Sequence, residues 1–247
     1  MKHALVTGGH KRLGRAMALE LARAGFDVAI QYRTDKGAAW TVVTEIQALG
    51  RTANAFQADL GDSASLLQLV KDADAALGGL SHLVLAAASY DRTPVEALDA
   101  AQLDRAFAAN ARSAVELTLA ARQTLENSLD GRVIVLGDLA GQVPFAGYLA
   151  HSMAKAALHA AVRGLAAELA PGVTVNAIVP GAVLKPMEMP DSAWQKLLEV
   201  VPQGQVIAAD PEAGAAAIAG AALYLATCSR FVNGTFLTVD GGRTARW

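Results

Sequence analysis

Ala4-Leu5-Val6-Thr7-Gly8-Gly9-His10-Lys11-Arg12-Leu13-Gly14 joins a short apolar run to a turn bounded by glycines. A helical pattern follows, with Leu13, Met17 and Leu21 on one face, and it stops at Gly25. An apolar run this short fits a strand buried on both faces, as parallel strands are. Gly8 and Gly14 lie between the first strand and the first helix, where backbone amides can approach a pyrophosphate at a helix N-terminus. A tight turn without a ligand would use the same residue types. The position between strand and helix favours a bound dinucleotide, and Lys11, Arg12 and Arg15 add positive charge where its phosphates would sit. His10 falls in the same turn.

Outward from this turn the pattern alternates to the end of the chain. Strands are expected at 26–32, 52–57, 82–87, 132–136, 173–179 and 235–239. Helices are expected at 36–49, over 62–77 with Asp62 as cap, and over a long region at 99–128. Further helices are expected from 148 to Pro171-Gly172, near 191–200, and from a first turn at Pro211 to about Ala226. Regular alternation implies parallel strands with right-handed crossovers. The expected fold is α/β, a single doubly wound Rossmann-type domain over residues 1–247. It has a mostly parallel seven-stranded sheet with helices on both faces. Its site should lie outside the carboxyl ends of the strands.

The second strand ends in Tyr32-Arg33-Thr34. An acidic residue there suits the free ribose hydroxyl of NAD, and a cation suits the 2'-phosphate of NADP. Arg33 and Thr34 therefore point to NADP(H), with Asp35 reading as the next helix cap.

The totals exclude several classes. A net charge of -2 gives no reason to expect a nucleic-acid or membrane partner. Cys228 is the single cysteine, so a disulfide within the chain is impossible and a cytoplasmic setting is expected. The N-terminus enters a strand pattern directly, without a signal peptide's apolar region. No uncharged run approaches the ~20 residues that a membrane span needs. No metal site is expected.

Tyr148-Leu-Ala-His-Ser-Met-Ala-Lys155 opens a long helix with His151 and Lys155 stacked four residues apart. Their face continues through the apolar Leu158, Val162, Leu165 and Leu169. On spacing alone this reads as a half-exposed helix start with a snorkelling lysine. Asn110 is the polar member of another apolar stripe, formed with Leu103, Phe107, Ala114, Leu117 and Ala121.

In combination, these pieces resemble the short-chain dehydrogenase/reductase family over nearly the full length. The matching residues are Thr7-Gly8-Gly9 through Gly14, Asp59-Leu60, Asn110, Lys155, Val175-Asn176-Ala177-Ile178 with Pro180-Gly181, and Val239-Asp240-Gly241-Gly242. Within the family the chain is most similar to the pteridine reductase branch. Arg12 replaces the middle glycine of the turn, Ala88-Ser89 resembles that branch's fourth-strand ending, and Asp138 takes the place of the catalytic serine.

The resemblance implies that Gly8, Arg12, Leu13 and Gly14 line the pyrophosphate and that Arg33 and Thr34 hold the adenosine phosphate. It implies that Asp59 and Leu60 meet the adenine and that Lys155 binds the nicotinamide ribose. Pro180, Gly181, Ala182 and Val183 would border the nicotinamide, and Asn110 would hold a water beside the lysine. The fourth strand departs from the family's Asn-Asn-Ala: Ala86-Ala87-Ala88 leave only backbone contacts to the cofactor. The family's proton donor is a tyrosine four residues before the lysine, and that position is His151. Tyr148 is about a turn away along the helix.

The expected function is NADPH-dependent reduction of a small carbonyl or pterin-like substrate. Asp138, His151, Lys155 and Asn110 are the catalytic candidates. The alternative is a catalytically weak or silent NADP(H)-binding protein; a flavin or quinone reductase is a third reading. Ser89, Tyr90, Tyr148, Met187 and Trp194 are substrate-side candidates, Tyr90 as an aromatic platform and Met187 with Met189 and Trp194 as a lid. The resemblance implies a homo-oligomer, a dimer or a tetramer that pairs two long helices, and the alanine-rich stretches 114–121 and 154–167 would allow such close packing.

Overall fold

The structure is a computed structural model that describes residues 2–187 and 189–246. Its strands are β1 (His3–Thr7), β2 (Asp27–Tyr32), β3 (Ala53–Gln57), β4 (His82–Leu85), β5 (Gly131–Leu136), β6 (Val173–Pro180) and β7 (Phe236–Val239). Its α-helices are α1 (Arg12–Arg23), α2 (Lys36–Ala48), α3 (Ser63–Leu77), α4 (Ala100–Phe107), α5 (Ser113–Asn127), α6 (Leu149–Glu168), α7 (Asp191–Glu199), α8 (Gly204–Ala209) and α9 (Ala213–Thr227).

The strands form one sheet in the order β3-β2-β1-β4-β5-β6-β7, and every pairing is parallel. The chain winds outward from β1 to β3, then returns to start the other half at β4. That reversal leaves a crevice at the carboxyl ends of β1 and β4, where ligands bind in open sheets of this kind. One core fills the face under α1, α2 and α9, with Met17, Ile30, Ile46, Ile134 and Ile218 fully buried. A second lies under α3, α5 and α6, with Leu66, Leu83, Leu117, Leu125 and Leu158. Sheet residues alternate between the two, Val6 with the first core and Leu5 with the second. Among the described residues no helix is long and apolar enough to cross a membrane.

Helix starts follow the capping chemistry of the sequence. The side chain of Asp35 accepts from Ala38 N, and that of Asp62 from Ala64 N and Ser65 N. Three local expectations need correction. Pro211 lies in the turn before α9 instead of in its first turn, because Asp210 Oδ1 accepts Glu212 N and holds that turn open. The fourth strand ends at Leu85, because Ala86 N and Ala87 N turn to donate to Thr7 Oγ1. The helical region 99–128 is two α-helices joined by a π-turn, Ala108–Arg112. The extra residue in that turn carries Asn110, and such insertions often mark functional positions.

Candidate functional site

Thr7 sits at the end of β1, and its hydroxyl spans the crevice to Ala86 N at 3.0 Å and Ala87 N at 3.1 Å. Buried Gln31 accepts Gly8 N at 2.9 Å and donates to Ala58 O at 2.7 Å, which ties the turn to the neighbouring strands. Gly8 has φ +62°, a conformation open to glycine at little cost. A Cβ on Gly14 would come within 2.3 Å of the Gly8 carbonyl oxygen, so α1 meets the turn only because residue 14 lacks a side chain. Arg12 is also left-handed, φ +50°, at a cost of about 1–2 kcal/mol for a residue with a Cβ. Its guanidinium donates to Lys185 O at 2.9 Å and joins the turn to the segment after β6.

This turn fits a dinucleotide on its own geometry. The His10 Nδ1 is buried without a protein partner among the described residues, with the ring edge-on to Tyr32. Burial, with help from the Lys11 charge, holds its pKa below the usual histidine range. Lys11, Arg33 and Thr34 are exposed beside it, and Leu13 is half-buried at the start of α1. Asp59 is exposed and bonds Gly61 N, while Leu60 lines a narrow cavity with Thr7, Ala87 and Asn110. Pro180 to Ala182 are half-buried where β6 ends, and Val183 is buried. Ala88 is exposed beyond the end of β4.

His151 and Lys155 are 2% and 3% exposed, which overturns the half-exposed, snorkelling reading. Lys155 Nζ donates to Leu136 O at 2.8 Å. Burial holds its pKa down, and Asp138 opposes that. The His151 ring bridges two oxygens: Nδ1 lies 2.9 Å from Ser89 O and Nε2 lies 3.3 Å from Asp138 Oδ2. A carbonyl only accepts, so Nδ1 carries a hydrogen. Nε2 faces a carboxyl, and one proton belongs to that contact. Burial raises the Asp138 pKa, but the His151 hydrogen bond, the Lys155 charge and the Ala140 N–H outweigh it. The carboxyl is thereby held below its ordinary range.

The elements explain these positions. Cβ atoms on Gly137 and Gly141 would come within 2.8 Å of the His159 ring, so the loop carrying Asp138 lies flat on α6 only because both are glycines. Asp138 Oδ1 accepts Ala140 N at 2.8 Å, which fixes its rotamer. Asn110 accepts Ser89 N at 3.0 Å and donates to Ser89 Oγ at 3.0 Å. Asn110 thus aims the Ser89 carbonyl at His151. The π-turn carries the Asn110 amide to the β4 loop, where its side chain makes this clamp.

Tyr90 stacks on Tyr148 with ring centroids 4.5 Å apart and planes at 20°, and meets His151 edge-on at 4.9 Å. Burial comes first among the causes that push the Tyr90 phenol up to about 12. Tyr148 is the N-terminal cap residue of α6, and its ring folds back toward the cluster. Its distance along the helix therefore does not remove it from the site. Met187 is 83% exposed and Trp194 is buried on α7, so they do not share a surface as the expected lid would.

Sequence reading missed Gln31 and His159, and gave Thr7 only as part of the turn motif, without a role. His159 follows His151 and Lys155 at the same four-residue step, a signal that was present in the sequence. It is buried, 3.5 Å from Asp138 N, and burial lowers its pKa to about 4. Gln31 had no signal, because its partners lie on other segments.

A parallel, doubly wound sheet with a glycine turn at its switch point, opposite a buried lysine and its neighbours, defines a Rossmann-type protein. The chain belongs to the short-chain dehydrogenase family, whose model matches residues 2–196. An uncharacterized oxidoreductase of Mycobacterium tuberculosis is 36% identical over 98% of this chain and 92% of its own. The FolM alternative dihydrofolate reductase 1 of Brucella canis, solved with NADP, superposes with a TM-score of 0.90. It is 30% identical, over 100% of this chain and 95% of that one. A short chain dehydrogenase of Burkholderia cenocepacia, also solved with NADP, has a TM-score of 0.87. Its identity is 33%, with 98% of each chain covered.

Proposed function

We propose that this protein is an NADPH-dependent reductase of a small carbonyl or pterin-like compound, with His151 as its proton donor. The observation that carries this reading is the ring bridging Ser89 O and Asp138 Oδ2. It holds a transferable proton beside a buried lysine, next to a half-exposed aromatic ring.

Gly8, His10, Lys11, Arg12, Leu13 and Gly14 would hold the pyrophosphate region, and Arg33 with Thr34 the 2'-phosphate. The NADP complexes of similar chains support that choice. NADPH, when bound, supplies the hydride. The protein supplies the proton and the orientation. Ser89 O keeps the Nδ1 hydrogen in place, so the Nε2 hydrogen is the one released to the developing oxyanion. Asp138 holds the ring in that orientation. Lys155 places positive charge beside the same oxygen and would hold the nicotinamide ribose. Arg12, Asp138 and the Ala88-Ser89 ending favour the pteridine reductase branch, as does the likeness to a dihydrofolate reductase.

A second reading, a binding protein without turnover, draws on the same contacts. Both ring nitrogens are engaged and the residue is 2% exposed, so substrate must displace Asp138 to reach Nε2. NADPH titration with oxidation assays on ketones, aldehydes and pterins separates the two. The reductase reading expects turnover in the wild type and a loss of about 10²-fold or more in kcat for His151→Ala. Tight binding with no turnover on any of these compounds selects the second reading.

A further inference from the structure

The wall beside His151 continues away from the reacting position as segment 145–148, which carries Phe145, Gly147 and Tyr148. Two arginines lean on it. A Cβ placed on Gly147 would lie 3.3 Å from Arg92 Nε, so the Arg92 side chain covers that glycine. The Arg243 guanidinium lies 5.7 Å from the centre of the Phe145 ring. Phe145 O accepts Tyr148 N at 3.1 Å, and Thr93 N donates to Gly147 O at 2.7 Å. Both arginines therefore pack on one short turn. That turn ends in the ring that stacks on Tyr90. The Arg243 charge also reaches the Tyr90 phenol and favours its ionised form.

Neither arginine has an acidic partner among the described residues. Two of the nearby acids are otherwise engaged. Asp138 is paired with His151. Asp240 has both oxygens occupied by Gly242 N and by Thr244 N and Oγ1. Asp91 lines a cavity of about 250 Å³ with Ser89, His151, Thr93, Gln102 and Arg105, and forms no salt bridge with either arginine. Two guanidinium groups near an aromatic wall and without a salt-bridged carboxylate suit an oxyanion on a flat molecule. The aromatic surface takes the ring and the forks take the charge.

We propose that Arg92 and Arg243 form an anion-recognition pair at the rim of the site. The substrate on this view is a planar aromatic or conjugated carbonyl compound bearing a carboxylate or a phosphate. This rests on the reductase reading, and adds to it the part of the substrate away from the reacting carbon.

The test compares 4-formylbenzoate, its methyl ester and 4-formylphenyl phosphate as substrates of the whole protein with NADPH. The expected result is a KM for the anions about tenfold or more below that of the ester. Arg92→Ala and Arg243→Ala each raise the KM for the anions about tenfold, leave kcat near wild type and leave the ester unchanged. Arg243→Lys recovers part of the loss, and Arg122→Ala on the outer face of α5 changes nothing. A lower KM for only one of the two anions identifies the oxyanion as carboxylate or phosphate. Equal KM values for anion and ester, or variants that shift both alike, overturn the proposal. If no compound turns over, the reductase reading is what fails. Calorimetric binding of 4-formylbenzoate and 4-formylphenyl phosphate then decides the site: binding lost in both alanine variants upholds it, and no binding of either to the wild type overturns it.

Discussion

His151 Nε2 lies 3.3 Å from Oδ2 of Asp138, although thirteen residues separate them in the chain. The contact joins the start of α6 to the loop after β5. A neutral ring could satisfy only one of its two oxygen neighbours as a donor. Burial raises the Asp138 pKa, but the His151 contact, the Lys155 charge and the Ala140 N–H outweigh it and hold the carboxyl below its ordinary range.

Asp138→Asn removes the carboxylate that faces the His151 ring, and kcat at neutral pH should fall by about 10²-fold. Stability should respond with a defined sign. A carboxyl with its pKa lowered in the folded state stabilises the protein above its ordinary range, and that contribution is lost as pH falls through the folded value. The variant should therefore show a flatter decline of melting temperature under acid than the wild type. Equal slopes would mean that Asp138 does not carry this pH dependence.

Asn110→Ala should release Ser89. It leaves a half-buried N–H without its acceptor, a cost of about 1–3 kcal/mol in stability. The ring of His151 should then lose its fixed orientation. Denaturant unfolding measures the first effect. The second shows in the kcat pH profile, which should change shape while the NADPH affinity stays within about threefold.

Gly14→Ala should close the turn. The added methyl group would meet the backbone oxygen of Gly8, not a side chain that can swing away. A loss of about 1–3 kcal/mol in stability is expected, together with loss of cofactor binding. Fluorescence titration with NADPH beside thermal melting checks both. Full cofactor affinity in this variant would put the cofactor elsewhere.

Arg33→Ala should act on cofactor choice alone. Its side chain is exposed at the end of β2, so stability should change by less than about 0.5 kcal/mol. The NADPH affinity should drop about tenfold and the NADH affinity should hold, because only NADPH has the 2'-phosphate. Competition titration of the two cofactors provides the ratio.

His82 links the fold itself to pH. It is buried between Ser81 Oγ and Ala226 O, and burial lowers its pKa from 6.5 to about 4. A histidine held neutral in the folded state stabilises the protein above the unfolded value, and the contribution is lost as pH falls through the folded value. The loss should begin as pH drops below 6.5 and end near 4, and amount to roughly 3 kcal/mol. His159 adds in the same direction. Melting between pH 4.5 and 8 should show the decline, and His82→Gln should lessen its slope even if it lowers stability throughout.

The order of strands and helices was legible because apolar periodicity is a local property. Val6 and Leu5 already declare two buried faces, and Gly8 with Gly14 already declare a turn that needs no side chains. The stacking of His151, Lys155 and His159 follows from helix geometry alone. Tertiary structure decided what those groups touch. Ser89 meets His151 only because β4 stops early and its loop is caught by Asn110, and Asn110 is there only because a π-turn adds a residue to the helix. Arg92 and Arg243 meet the same turn from distant parts of the chain. Periodicity selects which face of an element is buried, but hydrogen-bond partners are chosen where the ends of separate strands converge. The candidate site of this protein is made at that convergence.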